Sequence, residues 1–325
     1  MARKLRILSV FPEVDPFSKA GGLGDVGRSL PKALHALRHE ISIITPLYGV
    51  IDKSKFNLKP LFLGKQITVD DSKEISVDFY EGSLNGGLPV YFIGVEEYFG
   101  KYKTIYQVEN SNSRFLLFNL AVLEFIKLKQ LAIDIIHCND WHTGLIPFFL
   151  KNRYKDDSLL NKITSVYTIH NLAYQMAKNW WDVPIDSRDD GKSVLPVFTE
   201  TEKIESINFA KRAIVFADII NTVSENYAKE ILTPIFGEDL HSILGSRKSD
   251  LWGIVNGIDY NDYNPATDPG LVKNYDVESF EHKKENKIHL QRSFSLPVNL
   301  DVPMIGMVSR ISEQKGFDLL FLIID

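Results

Sequence analysis

Two short stretches of the 325-residue sequence combine positive charge with glycine, which suits them to binding an anion. In the first, Lys19 precedes Gly21 and Gly22. Residues without a Cβ let a ligand approach the backbone, and a helix that begins there adds unpaired amides. In the second, the guanidinium of Arg310 and the ammonium of Lys315, five residues apart, could hold two negative charges without a metal. The alternatives are a tight turn and a solvated loop.

Two polar clusters follow apolar runs that are typical of buried strands. The first contains His137, Asp140 and His142, after the run over 133–138, and the second begins with His170, after the run over 163–169. In open α/β sheets, ligands lie beyond the carboxyl ends of the strands, so both clusters are candidates for one cleft. A metal site at the two histidines of the first cluster is a weak interpretation, because no cysteine pair accompanies them. The structural alternative makes Asp140 a helix cap and places Trp141 in the core.

Alternating strands and helices position these residues. The pattern predicts strands over 5–10, 41–45, 133–138, 163–169, 217–223 and 251–255, and helices over 23–37, 115–128, 143–150, 202–216 and, capped by Ser224, 227–232. A strand-helix-strand unit implies a right-handed crossover in a parallel sheet. Over 58–95, short strands and the turn Asn85-Gly86-Gly87 predict a hairpin-rich insertion on that sheet. Residues 171–200 have no sustained period, as is usual for a functional or mobile loop.

The end of the sequence predicts a second domain that is begun and cut off. Residues 303–308 favour a strand and 316–324 a helix, but one strand and one helix cannot form an open parallel sheet. The turn at Asn256 and the polar stretch over 261–270 mark the boundary between the domains. We expect a first domain over 1–255, a linker region over 256–302 and the start of a second domain over 303–325.

The composition limits the class of protein. A net charge of −5 and a pI near 5.9 lack the basic footprint of a nucleic-acid-binding protein, whereas a neutral polymer would not require one. The single cysteine, Cys138, excludes an internal disulfide and suits a reducing compartment. The first apolar run stops at Pro12, too early for a signal peptide, and no later run reaches membrane-spanning length. We therefore expect a cytoplasmic protein without a membrane or nucleic-acid partner.

Four ordered motifs resemble those of bacterial glycogen synthases and plant starch synthases. They are Lys-x-Gly-Gly-Leu-x-Asp-Val over 19–26, Asp-Trp-His over 140–142, His-Asn-Leu-Ala-Tyr-Gln over 170–175 and Ser-Arg-x-x-x-Gln-Lys-Gly over 309–316. The sequence departs from the family at Met176, where a glycine is usual. It also departs over 110–115, where Asp-Asn-x-x-Arg-Phe is usual and the acidic residue is missing. The family's Glu-Pro-x-Gly-Leu loop is not in the sequence.

The resemblance implies an α/β fold of the GT-B type, with a doubly wound, parallel, Rossmann-like N-terminal domain and the start of a second Rossmann-like domain. It also implies a retaining hexosyltransferase without a cofactor, which transfers glucose from ADP-glucose to the non-reducing 4-hydroxyl of an α-1,4-glucan in glycogen biosynthesis. The domain over 1–255 would be the acceptor-side domain, and 303–325 would begin the nucleotide-sugar-binding domain.

The resemblance assigns roles to the candidate residues. Lys19 and the amides of Gly21 and Gly22 would meet the diphosphate from one side of the cleft, and Arg310 and Lys315 would meet it from the other. Asp140 and His170 would surround the sugar, where His170 can bond a hydroxyl and help stabilise positive charge at the anomeric carbon. With Asp140, His170, Arg310 and Lys315 as catalytic residues, the remaining substrate-binding candidates are Asp25, Trp141, His142, Asn171, Tyr174 and Asn256.

Other functions remain open at this point. The chain could be a fragment that binds a glucan or a partner chain without catalysis, or another GT-B glycosyltransferase of the sucrose or trehalose type. A dehydrogenase is disfavoured, because Thr45-Pro46 stands at the end of the second strand, where an acidic residue would bind the ribose, and because G-x-G-x-x-G is not met. The donor base, the glucan chain length and the oligomeric state do not follow from the sequence.

Overall fold

The computed structural model describes residues 3–84, 87–106, 108–309, 311, 315–321 and 323. The chain divides into two compact units, Met1–Gly257 and Ile258–Asp325. The described strands all lie in the first unit: β1 (Arg6–Val10), β2 (Glu40–Pro46), β3 (Lys59–Asp70), β4 (Lys73–Leu84), β5 (Leu88–Gly94), β6 (Ile135–Asn139), β7 (Thr164–Ile169), β8 (Ile219–Thr222) and β9 (Leu251–Gly253). They form one sheet in the order β3-β4-β5-β2-β1-β6-β7-β8-β9.

The described helices of the first unit are α1 (Gly22–Ala36), α2 (Ser111–Lys129), α3 (Leu145–Lys151), α4 (Thr201–Ile204), α5 (Phe209–Phe216), α6 (Glu225–Glu230) and α7 (His241–Ser246). The second unit contains α8 (Lys283–Ser293) and α9 (Phe317–Phe321). Helix α2 is apolar on all sides, from Phe115 to Ile126, and is therefore buried along most of its length. Within the described parts of the chain, no helix is long and apolar enough to span a bilayer.

The sheet is parallel from β5 to β9, as the order of strands and helices predicts. Strands β3 and β4 extend it as an antiparallel hairpin, and β4 pairs antiparallel with β5. Of the insertion predicted over 58–95, the hairpin of β3 and β4 is confirmed, whereas β5 is itself a strand of the parallel sheet. Asn85 and Gly86 of the predicted turn lie outside the described residues. Leu8 and Val10 of β1 are fully buried at the centre of the core, consistent with an apolar strand that has neighbours on both sides.

Three predictions need correction. The helix over 202–216 is interrupted between α4 and α5, because the Asn208 side chain caps α5 by accepting a bond from the Lys211 amide at 2.8 Å. Residues 303–308 carry no regular secondary structure; a strand requires a neighbour for its backbone bonds, and among the described residues of the second unit no strand provides one. Helices α7 and α8 were not predicted, because each contains too few apolar residues for a helical spacing to be recognised.

The loop over 171–200 is ordered by contacts of its own. Met176, Trp180 and Val183 form a small separate core, which gives the departure from the family's glycine at position 176 a packing role. Arg212 of α5 is fully buried, and its Nε and Nη2 donate to the two carboxylate oxygens of Asp189 at 2.9 and 2.7 Å. The Arg212–Asp189 contacts hold the middle of the loop against α5.

We expect Arg212→Met to lower the free energy of unfolding by about 3–5 kcal/mol, because it leaves the Asp189 carboxylate buried without its partner. The measurement is urea unfolding of the 325-residue chain. Lys203→Met is the matched control, because Lys203 pairs with Glu200 at the surface and should change stability by less than about 1 kcal/mol. Equal losses in the two variants would contradict a structural role for the buried pair.

Candidate active site

Three neighbouring parallel strands bring polar residues to one edge of the sheet. In the register of the sheet, Val10 of β1 lies beside Cys138 of β6, and Asn139 at the end of β6 lies beside Thr168 of β7. Asp140 and His170 follow these strand ends directly. The two polar clusters predicted for one cleft are therefore neighbours in the structure.

Asn139 connects the three strands. Its Nδ2 donates to the carbonyl oxygens of Val10 at 3.2 Å and of His137 at 3.3 Å. Because an amide oxygen can only accept a hydrogen bond, Nε2 of His170 donates to Oδ1 of Asn139, at 3.0 Å. This contact assigns the proton of neutral His170 to Nε2 and leaves the lone pair on Nδ1. Asn139 is fully buried.

Asp140 adopts a left-handed φ of 57°, which short polar residues tolerate better than most. Its Oδ1 accepts the backbone N–H of His170 at 2.8 Å, and its own N–H donates to the Thr168 carbonyl at 3.0 Å. The carboxylate makes no capping bond to the short 3₁₀ turn Trp141–Thr143 that follows, so the interpretation of Asp140 as a helix cap is wrong. The side chain instead ties the end of β6 to the end of β7.

Burial shifts the pKa values of these two groups in opposite directions. It raises the pKa of Asp140 to about 7, against the opposing effect of the His170 and Asn171 amides. It lowers the pKa of His170 to about 4, so the imidazole is neutral near pH 7. The site therefore holds a neutral base beside a carboxyl group that ionises near neutrality.

His137 takes part in a structural chain rather than in metal binding. Its Nε2 lies 2.7 Å from Oγ1 of Thr168, which donates its own hydrogen to Oδ1 of Asn221 at 2.6 Å. Burial lowers the pKa of His137 to about 4. Among the described residues, no group of three or more His, Cys, Asp or Glu side chains could hold a metal ion.

Trp141 and His142 pack into the core beneath the site. Their rings stack with centroids 4.0 Å apart, and Phe115 of α2 contacts both, at 5.2 and 4.6 Å. Each side chain is 6% exposed, so the alternative that places Trp141 in the core is confirmed. Nδ1 of His142 is buried without a hydrogen-bond partner among the described residues, and burial holds its pKa well below the usual range.

The glycine-rich turn is held by an acidic residue that sequence reasoning missed. Glu13 is 2% exposed, and its Oε2 accepts the backbone N–H groups of Ala20 and, at 3.2 Å, of Gly21. The hydroxyl of Tyr106 also bonds to this carboxylate. The pKa of Glu13 is raised by burial and lowered by these donors, with burial dominating. An acidic residue inside the apolar run 10–17 was the available signal.

The same tyrosine places the turn near the strand ends. Burial raises the pKa of Tyr106 well above its usual range, and the negative charges of both Glu13 and Asp140 raise it further. The centroids of the Tyr106 and His142 rings lie 5.1 Å apart. Lys19 forms an ion pair with Asp25 at 2.5 Å, and both side chains are partly exposed, at 42% and 36%. Through Glu13 and Tyr106 the turn is thus connected to His142, two residues after Asp140.

The remaining predicted residues vary in placement. Oδ1 of Asn171 accepts the Ala173 N–H at 3.0 Å, and Tyr174 is half-exposed in the same turn. Asn256 is exposed, three residues after β9. Lys315 is an exposed residue of the second unit. Arg310 lies outside the described residues, as do Ser312, Glu313 and Gln314 of the same motif.

In the stretch over 110–115, a carboxylate from another part of the chain binds the backbone amides at the start of α2. Glu205 is buried, and its carboxylate accepts the backbone N–H groups of Asn112 at 3.1 Å and of Ser113 at 2.9 Å. A carboxylate at a helix N-terminus is favoured by the unpaired amides and the helix dipole. Glu205 thus supplies a negative charge at the start of α2, where the sequence lacks the family's acidic residue.

We expect Asp140→Asn to stabilise the chain in a pH-dependent way. Because the folded pKa of Asp140 is raised to about 7, the folded protein retains a proton that the unfolded chain loses near pH 4. The native carboxyl group therefore reduces stability progressively from about pH 4 to pH 7 and by a constant amount above it. The variant removes this cost, so its melting temperature should exceed that of the native chain more at pH 8 than at pH 5. A difference independent of pH would contradict the raised pKa.

Comparison with known proteins identifies the family of the chain. Residues 6–246 match the family described as the starch synthase catalytic domain. The glycogen synthase of Moorella thermoacetica is 41% identical over 332 residues, covering 100% of this chain and 65% of the relative. The glycogen synthase of Desulforudis audaxviator is 41% identical over 335 residues, with coverage of 99% and 65%. The chain thus spans about two thirds of the length of these relatives.

A solved structure gives the same result for the fold. The catalytic domain of starch synthase IV from Arabidopsis thaliana, bound to ADP and acarbose, superposes with a TM-score of 0.82 at 30% identity, covering 98% of this chain and 65% of that one. The predicted α/β fold of the GT-B type and the predicted family are confirmed. The chain belongs to the starch synthase catalytic domain family, together with the bacterial glycogen synthases.

Proposed function

We propose that the chain is the acceptor-side part of a retaining hexosyltransferase, which moves glucose from ADP-glucose to the non-reducing 4-hydroxyl of an α-1,4-glucan. The observation that carries the proposal is the joined geometry of Asn139, Asp140 and His170 at the carboxyl ends of β6 and β7. Relatives named glycogen synthase, and a solved relative with ADP and acarbose bound, support the substrate class.

His170 is suited to contact the transferred glucose. Its Nε2–H is held by Asn139, so Nδ1 offers a lone pair to a sugar hydroxyl. Since burial keeps the imidazole neutral, it adds no positive charge of its own beside an anomeric carbon that becomes positive in the transition state. Asp140, when ionised, accepts hydroxyl hydrogens and stabilises the same positive charge.

Lys19 is suited to contact the diphosphate of the donor. Its ammonium group is partly exposed beside the N-terminus of α1, and the pair with Asp25 holds it there. The Gly21 amide is engaged by Glu13, which leaves Lys19 and the region of Gly22 as the face that the turn presents to an anion. Arg310 and Lys315 would bind the diphosphate from the nucleotide-sugar-binding domain, begun over 303–325. We propose no metal or cofactor for this reaction, and place Asn171, Tyr174 and Asn256 around the substrates. Trp141 and His142, proposed from the sequence as substrate contacts, are buried and would support the site from beneath.

The transfer reaction tests this proposal directly. Labelled glucose is offered as ADP-glucose, with glycogen as acceptor, to the 325-residue chain and to the same chain joined to the remaining third of the M. thermoacetica relative. We expect transfer by the longer protein, with ADP-glucose preferred over UDP-glucose. A folded longer protein without transfer from either donor would contradict the proposal. Transfer only by the longer protein would leave the 325-residue chain as a binding fragment.

We expect Lys19→Ala in the longer protein to lower turnover by roughly 10²-fold, because a charged donor to the leaving diphosphate is lost. The melting temperature should change little, since the Lys19 side chain is 42% exposed and its ion pair is a surface pair. Lys4→Ala is the control, as Lys4 forms a similar surface pair with Glu40 at the other end of the sheet. Parallel losses of turnover and melting temperature in Lys19→Ala would argue for a structural role instead.

A further inference from the structure

The turn that follows β7 carries His170 and Tyr174, two of the residues proposed to contact the substrates. At its start, the carboxylate of Asp140 accepts the His170 N–H at 2.8 Å. In its middle, Leu172 is 1% exposed, and the Leu172 N–H donates to the hydroxyl oxygen of Tyr227 at 3.1 Å. A tyrosine from α6 thus holds the backbone between the two candidate side chains.

The end of the turn is fixed by a buried carboxamide. Gln175 is 1% exposed, and its Oε1 accepts a bond from Nδ2 of Asn208 at 2.5 Å. Its Nε2 donates to the carbonyl oxygen of Glu238 at 2.7 Å. Since both ends of the turn are tied to other elements, the conformation of its middle depends on the bond from Leu172 to Tyr227.

Tyr227 has a firm support of its own. Oγ of Ser224 caps α6 by accepting the N–H groups of Asn226 and Tyr227, each at 3.2 Å. The start of α6 lies directly against β9, because a Cβ added to Gly253 would be only 2.4 Å from Cα of Glu225. The Tyr227 ring packs against the hydrophobic core. The place of the tyrosine hydroxyl therefore follows from the sheet and from the docking of α6 on it.

We propose that Tyr227 is a positioning residue for the transfer reaction, which acts through the Leu172 amide to place His170 and Tyr174 against the sugar. Without the hydroxyl, the Leu172 N–H loses its acceptor, and the turn must shift to reach another. A shift of about 1 Å in a group that orients the substrate lowers the rate steeply. The inference rests on the proposed function for the identity of the reaction.

NMR of the 325-residue chain tests the hold on the turn without any substrate. In Tyr227→Phe, we expect the Leu172 amide hydrogen to exchange about tenfold faster and the ¹⁵N shifts of the His170 ring to change. Tyr154→Phe is the matched control, because Tyr154 is 6% exposed and its hydroxyl donates to Glu124 of α2 at 2.7 Å. It loses a comparable bond outside the turn, so the Leu172 and His170 signals should remain native.

Steady-state kinetics of the longer protein, chain plus remaining third, test the effect on transfer. We expect Tyr227→Phe to lower kcat about tenfold and to leave the KM for ADP-glucose within about twofold, since the tyrosine orients a group that contacts the sugar and does not bind the donor itself. Tyr154→Phe should retain the native kcat. Similar melting temperatures of the two variants would show that the loss of kcat does not come from a general loss of stability.

The inference would be overturned by native Leu172 exchange and His170 signals in Tyr227→Phe, by an unchanged kcat, or by equal effects in Tyr154→Phe. Transfer by Tyr227→Phe at the native rate would refute the positioning role and keep the proposed function. Changed His170 signals, together with no transfer by the folded longer protein, would refute the enzyme and keep the hold of Tyr227 on the turn.

Discussion

The side chain of Asn139 is the contact on which the candidate site depends. It is fully buried and donates its amide hydrogens to the carbonyl oxygens of Val10 in β1 and of His137 in its own strand. Its remaining oxygen orients His170 beyond β7. A carboxamide in this position is required to satisfy donors and acceptors at once, since an unpaired polar group in such a place costs about 1–3 kcal/mol. One side chain thus links the end of β1 and the end of β6 to the residue that follows β7.

Burial of this network determines the charge of the groups that face the cleft. His170 and Asp140 share one poorly solvated environment, which disfavours the charged form of each, so the imidazole is neutral and the carboxyl group ionises only near pH 7. Glu13, at the glycine-rich turn, is raised for the same reason and is held by backbone amides. The partly exposed charges of the turn are those of the Lys19–Asp25 pair. This arrangement suits a neutral sugar joined to an anionic diphosphate.

The sequence predicted what depends on local patterns and missed what depends on distant partners. Apolar runs identified β1, β2, β6 and β7, and polar residues after them located Asp140 and His170 correctly at neighbouring strand ends. The roles of Asn139 and Glu205 could not be predicted, because only the tertiary structure brings their partners near. Glu13 was missed although its acidic side chain interrupts the apolar run 10–17. The break before Asn208 was hidden for a related reason, since its cap interrupts a stretch whose apolar spacing is helical throughout.

The contacts at the strand ends predict that His170 is a neutral imidazole with its proton on Nε2, so that Nδ1 can accept a hydrogen bond. NMR of ¹⁵N-histidine-labelled chain, with the His170 signals assigned by comparison with His170→Gln, measures both the tautomer and the titration. We expect the Nε2–H tautomer at pH 7 and a pKa near 4, well below the usual value of about 6.5. A His170 that titrates near 6.5, or carries its proton on Nδ1, would overturn this assignment.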